Sequence, residues 1–289
     1  MATPPRVLAC GLATVDVVQA VERMPGANEK VVALGTRVEA GGPALNAAVT
    51  AALLGMPCRL VTGVGASPLG AVVRHDCAEH GVELVDVAGQ GFELPVSTVL
   101  VTASSGERAV ASRNAAGASG WALPARGDLE ELLGGVSAVL VDGHHLPVAR
   151  VVAAAAREHG IPVVADAGSW KPGLDGLLGD VDVLVASADL RPPSGGGLDE
   201  LLALGPTWVA RSAGADPVRW LAADGSSGTV DVPVVDVVDT LGAGDVLHGA
   251  LLAEVGRHGM RDLPVALARA VGVAARSVTV AGVRGWATA

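Results

Sequence analysis

The chain has 289 residues, half of them hydrophobic, and carries a formal net charge of −10. The hydrophobic residues are spread along the whole length, which predicts a large buried core and argues against disorder. Aromatic residues make up only 2%, and the acidic balance opposes binding to a phosphate backbone, so we expect no nucleic-acid partner.

No segment predicts membrane insertion. The longest uncharged stretch, residues 40–58, opens with Gly-Gly-Pro and contains Asn46, which favours a loop and a buried helix over a membrane span. The apolar run at residues 7–10 is too short for a secretory signal. We therefore expect a cytoplasmic protein with no membrane partner.

The three cysteines have neither the spacing of a zinc site nor that of a disulfide framework. We expect small buried thiols in a reducing compartment at these positions: Cys10, Cys58 and Cys77.

In the first half, buried strands alternate with helices. An apolar run at residues 7–11 predicts a strand that leads through a short loop to Asp16. Helix, strand and helix patterns follow at residues 43–54, 59–63 and 69–80. Two stretches, 17–40 and 97–113, interrupt this order. They contain short segments in which apolar and polar residues alternate, among them residues 30–34, and these segments predict antiparallel strands.

In the second half, nearly continuous apolar strands alternate with helices. An Ala-rich helix is predicted at residues 148–159, and a hairpin turn at 224–228. Strands are predicted at residues 138–142, 162–166, 182–186 and 208–211. This order predicts an α/β core in which helices cover both faces of a parallel sheet.

The sharpest motif is Asp-Thr-Leu-Gly-Ala-Gly-Asp at residues 239–245, which leads into an apolar helix. Small residues at a helix start allow the backbone N–H groups of Gly242, Ala243 and Gly244 to converge on an anion. Asp245 would lie beside that anion, where its carboxylate can accept a proton from an attacking hydroxyl. The alternative is a tight glycine turn in which Asp245 only complements the helix dipole.

A second motif, Gly-Gly-Pro-Ala-Leu-Asn at residues 41–46, precedes the first predicted helix. The pair Gly41 and Gly42 permits close approach of a ligand to the backbone, and Asn46 offers a donor and an acceptor to a polyol. Taken alone, this motif is better explained as an ordinary glycine turn, and Asp16 as a capping or turn residue.

Other catalytic motifs are absent from the sequence: there is no Walker A pattern, no HExxH, no GxSxG, and no GxGxxG between a strand and a helix. His144 and His145 follow a predicted strand, but no third metal ligand lies at a suitable spacing. We expect surface or loop histidines there, and the sequence assigns no metal ligand.

Together, Asp16 and the motifs at 41–46 and 239–245 resemble the PfkB/ribokinase family of carbohydrate kinases, in order and in spacing over the whole chain. The resemblance implies a ribokinase-like three-layer α/β/α sandwich with a mostly parallel central sheet and a small β-sheet lid. It also implies a single kinase domain over residues 1–289, with lid segments inserted at about 17–40 and 92–114.

The activity that the resemblance implies is transfer of the ATP γ-phosphoryl group to a hydroxyl of a sugar, with Mg²⁺ bridging the phosphates. Asp245 matches the catalytic base, and the turn from Gly242 to Gly244 matches the anion hole. The positions that match contacts to the sugar hydroxyls are Asp16, Gly41, Gly42 and Asn46. The positions that match the nucleotide site are Ser187, Ser212, Gly214, Thr240, Gly242, Gly244 and Gly282.

Two segments match parts of the family that are concerned with ion binding. Residues 278–285 match a family loop that flanks adenine or a monovalent cation. The family often has an N-x-x-E stretch that orders Mg²⁺ and its waters, but here Ser187 and Leu190 occupy the positions of its Asn and Glu. The alternative is that Asp189 or Asp166 takes this place with a shifted geometry, so the resemblance leaves the metal ligands unassigned.

Substrate indications come from the lid segments. Lys30, Arg113 and Asn114 suit an anionic group on the substrate, such as a phosphate or sulfonate, or else they are solvated lid charges. Residues 97–108 resemble the fructose-type branch of the family, which favours a ketose.

Three further possibilities stay open. A nucleoside kinase would use the same hydroxyl-binding positions, although Phe92 is the only aromatic residue near the lid that could stack on a base. A catalytically weak sugar-binding or regulatory homologue is favoured by Ser187 and Leu190 and opposed by Asp245. The resemblance also implies a homodimer in which the open edges of two lids cover one another.

Overall fold

The computed structural model describes residues 4–113, 121–193 and 195–287. Over these residues the chain forms a large sheet, a separate small sheet, and helices on both faces of the large sheet. The predicted fold class is therefore confirmed, because the large sheet is mostly parallel and lies in the middle of three layers.

The strands of the described residues are, in chain order, β1 (Arg6–Cys10), β2 (Thr14–Val21), β3 (Gly35–Gly41), β4 (Cys58–Thr62), β5 (Glu83–Asp86), β6 (Val96–Thr102), β7 (Arg108–Ser112), β8 (Val136–Val141), β9 (Val163–Ala167), β10 (Val183–Ser187), β11 (Trp208–Ala213), β12 (Asp216–Ala222) and β13 (Ser227–Val230). The large sheet has the order β13-β12-β11-β10-β9-β8-β1-β4-β5, and the small sheet has the order β3-β2-β6-β7. In the large sheet, β12 and β13 pair antiparallel and form the predicted hairpin.

The helices are α1 (Pro43–Leu53), α2 (Gly70–Glu79), α3 (Arg126–Leu133), α4 (Leu146–Glu158), α5 (Leu174–Leu178), α6 (Leu198–Leu202), α7 (Ala243–His258) and α8 (Leu263–Ser277), followed by a 3₁₀ turn at Gly285–Ala287. Helices α1, α2, α7 and α8 contribute to the core on one face of the large sheet, and α3 to α6 to the core on the other. Strand β1 shows why its sequence is continuously apolar: Val7 and Ala9 enter the first core, whereas Leu8 and Cys10 enter the second.

The small sheet differs from its prediction in two places. Strand β2 begins at Thr14, before the predicted start of the lid segment, so Asp16 lies within a strand and is not a capping or turn residue. The alternating residues 30–34 form no strand, and that prediction is wrong. Val32 and Leu34 are 81% and 60% exposed, so their alternation buries no face against the core.

The cysteines are buried and free, as predicted, and burial raises the pKa of Cys58 and of Cys77 to about 12. Among the helices of the described residues, none is long and apolar enough to cross a bilayer.

Candidate active site

The turn before α7 presents free backbone donors. Gly242 is the N-cap of α7 with a φ of 74°, and a Cβ there would lie 2.6 Å from a methyl group of Val283. In the described part of the chain, the N–H groups of Gly242 and Gly244 have no acceptor, whereas that of Ala243 faces the Thr240 carbonyl at 3.4 Å. The start of α7 is therefore arranged as an anion site, as the motif predicts.

Asp245 lies in the first turn of α7, directly after these donors. Its Oδ2 accepts a hydrogen bond of 2.7 Å from Nδ2 of Asn46. Burial, followed by the negative charge of Asp166, raises the pKa of Asp245 to about 7. A carboxylate with this pKa can take up a proton near neutral pH, which is what a general base requires.

The raised pKa predicts that Asp245→Asn stabilises the protein at alkaline pH. A carboxyl group whose pKa is higher in the folded state than in the unfolded state costs stability as pH rises from about 4 through about 7. We therefore expect the free energy of unfolding of the variant to exceed that of the wild type by about 2 to 4 kcal/mol at pH 8, and to equal it near pH 4. Urea unfolding at both pH values measures this difference, and equal stability at pH 8 would contradict it.

The first glycine motif lies against Asp16. Thr14 donates a hydrogen bond of 2.8 Å to Asp16 Oδ1, and a Cβ on Gly41 would lie 2.0 Å from Asp16 Oδ2. Gly42 has a φ of 101°, and a Cβ there would lie 2.5 Å from the Leu12 carbonyl oxygen. Both glycines are thus required for the close packing of β2, β3 and the loop after β1.

Asn46 links this group to α7. It is buried in α1, four residues after Gly42, whose carbonyl accepts its backbone N–H at 2.9 Å. The side-chain bond from Asn46 to Asp245 joins residues that are 199 positions apart. The structure therefore brings the motifs at 41–46 and 239–245 together, next to Asp16.

Asp142 follows β8 and holds the loops of the site in place. Its Oδ2 accepts the N–H of Leu12 at 2.7 Å and that of Ala44 at 3.2 Å, and its Oδ1 accepts the N–H of His144 at 2.8 Å. Burial raises the pKa of Asp142, but His144 and these donors outweigh burial and hold the pKa well below its usual range. Asp142 is thus an ionised buried carboxylate that organises the residues around the glycine motif.

His248 connects α7 to the large sheet. Its Nδ1 lies 2.6 Å from the Gly244 carbonyl and 3.4 Å from Asp166 Oδ2, and its Nε2 lies 3.1 Å from the Val185 carbonyl. Burial raises the pKa of Asp166, and His248 acts against that effect. The contact with Gly244 fixes the anion turn relative to β9 and β10.

The predicted nucleotide residues fall into two groups. Ser187 and Ser212 are paired neighbours at the ends of β10 and β11, and Gly214, with a φ of 61°, lies in the turn after β11. Gly282 donates its N–H to Asp239 Oδ2 at 3.1 Å, which places it beside Thr240 and the anion turn. Ser187 Oγ donates to the Gly168 carbonyl at 2.9 Å, and Leu190 is fully buried, so neither offers a free metal ligand.

A cleft of about 720 Å³ separates the small sheet from the turn at residues 239–241. Arg108 NH1 lies 3.4 Å from Thr240 Oγ1, and Arg37 NH2 lies 4.0 Å from Asp239 Oδ2. The small sheet therefore faces the start of α7, which is the position expected of a lid.

Two predicted substrate residues, Lys30 and Arg113, are not brought to this group. Lys30 is exposed in the stretch before β3, and Arg113 forms an exposed ion pair with Glu93 at 2.9 Å. Asn114 lies outside the described residues.

The histidine pair lies in the loop after β8, as predicted, and His145 is buried there. It is only 7% exposed, because the Trp121 ring lies 4.0 Å from its ring centroid and Phe92 packs nearby. Its ring nitrogens have no hydrogen-bond partner in the part of the chain that the structure describes. Burial lowers the pKa of His145 to about 4, so this side chain is neutral at pH 7.

The profile of the pfkB family carbohydrate kinases matches residues 5–288. The chain belongs to the PfkB family. It is thus a carbohydrate kinase, a phosphotransferase.

Solved structures with the same fold cover almost the whole kinase. A ribokinase candidate from Agrobacterium tumefaciens is 26% identical with a TM-score of 0.82, and the match covers 97% of this chain and 93% of that one. The ribokinase of Arabidopsis thaliana, complexed with ribose and ATP, is 21% identical with a TM-score of 0.78, covering 97% and 94%. A microbiome-derived acarbose kinase is 20% identical with a TM-score of 0.81, also covering 97% and 94%.

Sequence reasoning missed three residues of the kinase site. The sequence does indicate Asp142 as a candidate site residue, because it directly follows an apolar strand and the carboxyl ends of parallel strands share one edge of the sheet. His248 sits within an apolar helix pattern that does not separate it from an ordinary buried residue. Arg284, whose NH1 donates to Asn46 Oδ1 at 3.2 Å, lies in the loop at residues 278–285, and the family match of that loop does not single it out.

Proposed function

We propose that this chain is an ATP-dependent kinase that phosphorylates a hydroxyl of a sugar or sugar derivative, with all of its residues in one kinase domain. The observation that carries the proposal is the start of α7, where Asp245, with a pKa of about 7, directly follows backbone donors that have no acceptor in the described residues. A base and an anion site next to each other are what phosphoryl transfer to a hydroxyl requires.

In this reaction the hydroxyl oxygen of the sugar attacks the γ-phosphorus, and the bond from that phosphorus to the bridging oxygen breaks. ADP leaves with the electron pair, and the hydroxyl proton passes to Asp245. The N–H groups of Gly242 and Gly244 stabilise the charge on the transferred group, together with the positive end of the helix dipole. Asn46 positions Asp245 through the hydrogen bond between their side chains.

A polyol substrate fits the residues around the base. Asp16 offers carboxylate oxygens beside Gly41, and Asn46 offers its amide next to Asp245. The Arabidopsis relative binds ribose and ATP, and another relative is an acarbose kinase, which supports a sugar acceptor and an ATP donor. Phe92 packs against Trp121, so it offers no free ring for stacking on a base, which disfavours a nucleoside.

Among the described residues, no group of three or more His, Cys, Asp or Glu side chains is arranged to hold a metal ion. We expect Mg²⁺ to arrive with ATP and to be coordinated by phosphates and water. At the monovalent-cation loop, both Asp239 oxygens already accept backbone N–H groups, from Leu241 at 2.9 Å and from Gly282 at 3.1 Å. No step of the reaction above is assigned to either ion.

Homodimerisation through the lid stays a prediction, as does a cytoplasmic location. The lid has two open edges, β3 and β7, and Val38 and Val110 on these strands are exposed. Arg113 and Lys30 stay candidates for an anionic group of the substrate.

The packing of Gly41 against Asp16 yields a test of the sugar site. In Gly41→Ala, the new Cβ displaces the Asp16 carboxylate, so we expect KM for the sugar to rise at least about tenfold, as the loss of a hydrogen bond to a charged group predicts. Gly35→Ala is the matched control on β3, because a Cβ there meets nothing within 4 Å. Steady-state kinetics measure both variants, and an equal KM in the two would remove Asp16 from the sugar site.

The proposed function is tested by ADP release from MgATP over a panel of ketoses, aldoses, their phosphates and sulfonates, and nucleosides. We expect one sugar or sugar derivative to stimulate ADP release strongly. Stimulation by a nucleoside alone would establish the nucleoside kinase instead. Binding of a sugar in calorimetry with no ADP release on any compound would establish the catalytically silent homologue.

A further inference from the structure

Arg284 ends a chain of contacts that leads to the catalytic base. Its NH2 pairs with Asp76 Oδ2 of α2 at 2.6 Å, and its NH1 donates to Asn46 Oδ1 at 3.2 Å. Asn46 in turn donates from Nδ2 to Asp245 Oδ2 at 2.7 Å. The side chains of Arg284 and Asp76 are only 20% and 15% exposed, so water competes weakly for these contacts.

The guanidinium determines which way the Asn46 amide faces. A guanidinium has donors only, so the atom of Asn46 that meets Arg284 is the amide oxygen. The amide nitrogen of Asn46 then faces Asp245, and its N–H favours the ionised carboxylate. Without Arg284 the amide is free to turn over, and its oxygen would accept the proton of a neutral Asp245. That arrangement favours the protonated acid, which cannot act as a base.

We propose that Arg284 is a positioning residue of this kinase, which holds the Asn46 amide so that its N–H faces Asp245 and keeps the base ionised. Asp76 orients the guanidinium. The reading of Asp245 as a base rests on the proposed function, but the orientation of the amide does not. Arg284 touches neither the substrate nor the reacting atoms in this scheme, so it acts only through Asn46.

Other charged groups lie next to Asp245 and Arg284, the two ends of this series of contacts. The charges of Asp166 of β9, Asp142 after β8 and His248 of α7 all affect the pKa of Asp245. Arg284 shares a cavity of about 200 Å³ with Arg37 and Glu39 of β3, and burial raises the pKa of Glu39. Because these groups are unchanged in a variant of Arg284, a change in the titration of Asp245 reports on Arg284 itself.

The test is the ionisation midpoint of Asp245, followed by carboxyl carbon NMR in protein labelled at aspartate, with the signal assigned by its absence in Asp245→Asn. We expect Arg284→Gln to raise this midpoint by about one pH unit, and the acid limb of the kcat/KM profile to move with it. Arg284→Lys keeps the charge but loses the two-pronged geometry, so we expect a shift of at least half that size. Arg269→Gln, which loses only a surface pair with Glu254, is the matched control.

An unchanged midpoint in Arg284→Gln would overturn the proposal. A shift in Arg284→Gln that is absent in Arg284→Lys would overturn it too, because charge and not orientation would then be responsible. If Arg284→Gln does not fold, Asp76→Asn provides the same test, with a smaller shift to higher pH expected and no shift contradicting the role. A wild type that turns over no sugar but still shows these shifts would refute the proposed function and leave the role of Arg284 standing.

Discussion

Asp245→Asn is expected to lower kcat by about 10²- to 10⁴-fold while KM for the sugar changes only a few-fold. Removal of a general base costs turnover by that amount, because the hydroxyl proton then has no acceptor at the moment of attack. The side chain of asparagine has nearly the same shape, so the hydrogen bond with Asn46 and the anion turn are kept. Initial rates of ADP formation at saturating sugar, at pH 8, measure the loss.

Glu254→Gln is the matched control for this prediction. It removes a carboxylate from the same helix, α7, where Glu254 pairs with Arg269 at 2.8 Å near the end that lies away from the anion turn. We expect its kcat to stay within about twofold of the wild type, because Glu254 pairs only with Arg257, His258 and Arg269 among the described residues, at the far end of α7 from the anion turn. A loss in Asp245→Asn no larger than that in Glu254→Gln would exclude Asp245 as the base.

Asp142→Ala is expected to lower the free energy of unfolding by about 3 to 5 kcal/mol at pH 7, because two buried N–H groups and a partly buried one lose their acceptor. Asp142 is 2% exposed, so water does not readily replace the carboxylate. Since the folded-state pKa of Asp142 is depressed, its contribution is complete above the unfolded pKa of about 4 and is lost as pH falls further. The difference between wild type and variant should therefore shrink below pH 4.

Urea unfolding measures this effect, with Asp231→Asn as the control, since Asp231 is exposed and its side chain makes no hydrogen bond or ion pair among the described residues. We expect the control to change stability by less than about 0.5 kcal/mol. A cost of Asp142→Ala as small as that of the control would contradict the role of Asp142 in holding the loops around Leu12 and Ala44.

The fold was largely predictable because the strands and helices of each layer have a characteristic pattern of apolar residues in the sequence. Residues buried on both faces of a parallel sheet are apolar in unbroken runs, and these runs located β1 and β8. Helix α7 begins at Ala243, inside the motif at residues 239–245, since glycine and small residues begin the helix earlier than its apolar pattern does. Residues 30–34 show the limit of this reasoning, because alternation there is not accompanied by a buried face.

The site was predictable only where chemistry and local geometry coincide. Asp245 and its glycines form one motif, so their roles could be inferred from neighbouring residues. The contact of Asn46 with Asp245, by contrast, spans 199 positions and is created by the packing of α1 against α7. Arg284 depends on two such long-range contacts at once, and nothing in its own neighbourhood in the sequence distinguishes it.

The central claim is that the γ-phosphoryl group passes to a sugar hydroxyl with Asp245 as the base. Phosphorus NMR of the reaction of wild type and Asp245→Asn with MgATP and the best sugar of the panel tests this most directly. We expect the wild type to yield ADP and an equal amount of a sugar phosphate monoester, with almost none from the variant. Inorganic phosphate in place of the monoester, or equal monoester from both proteins, would contradict the claim.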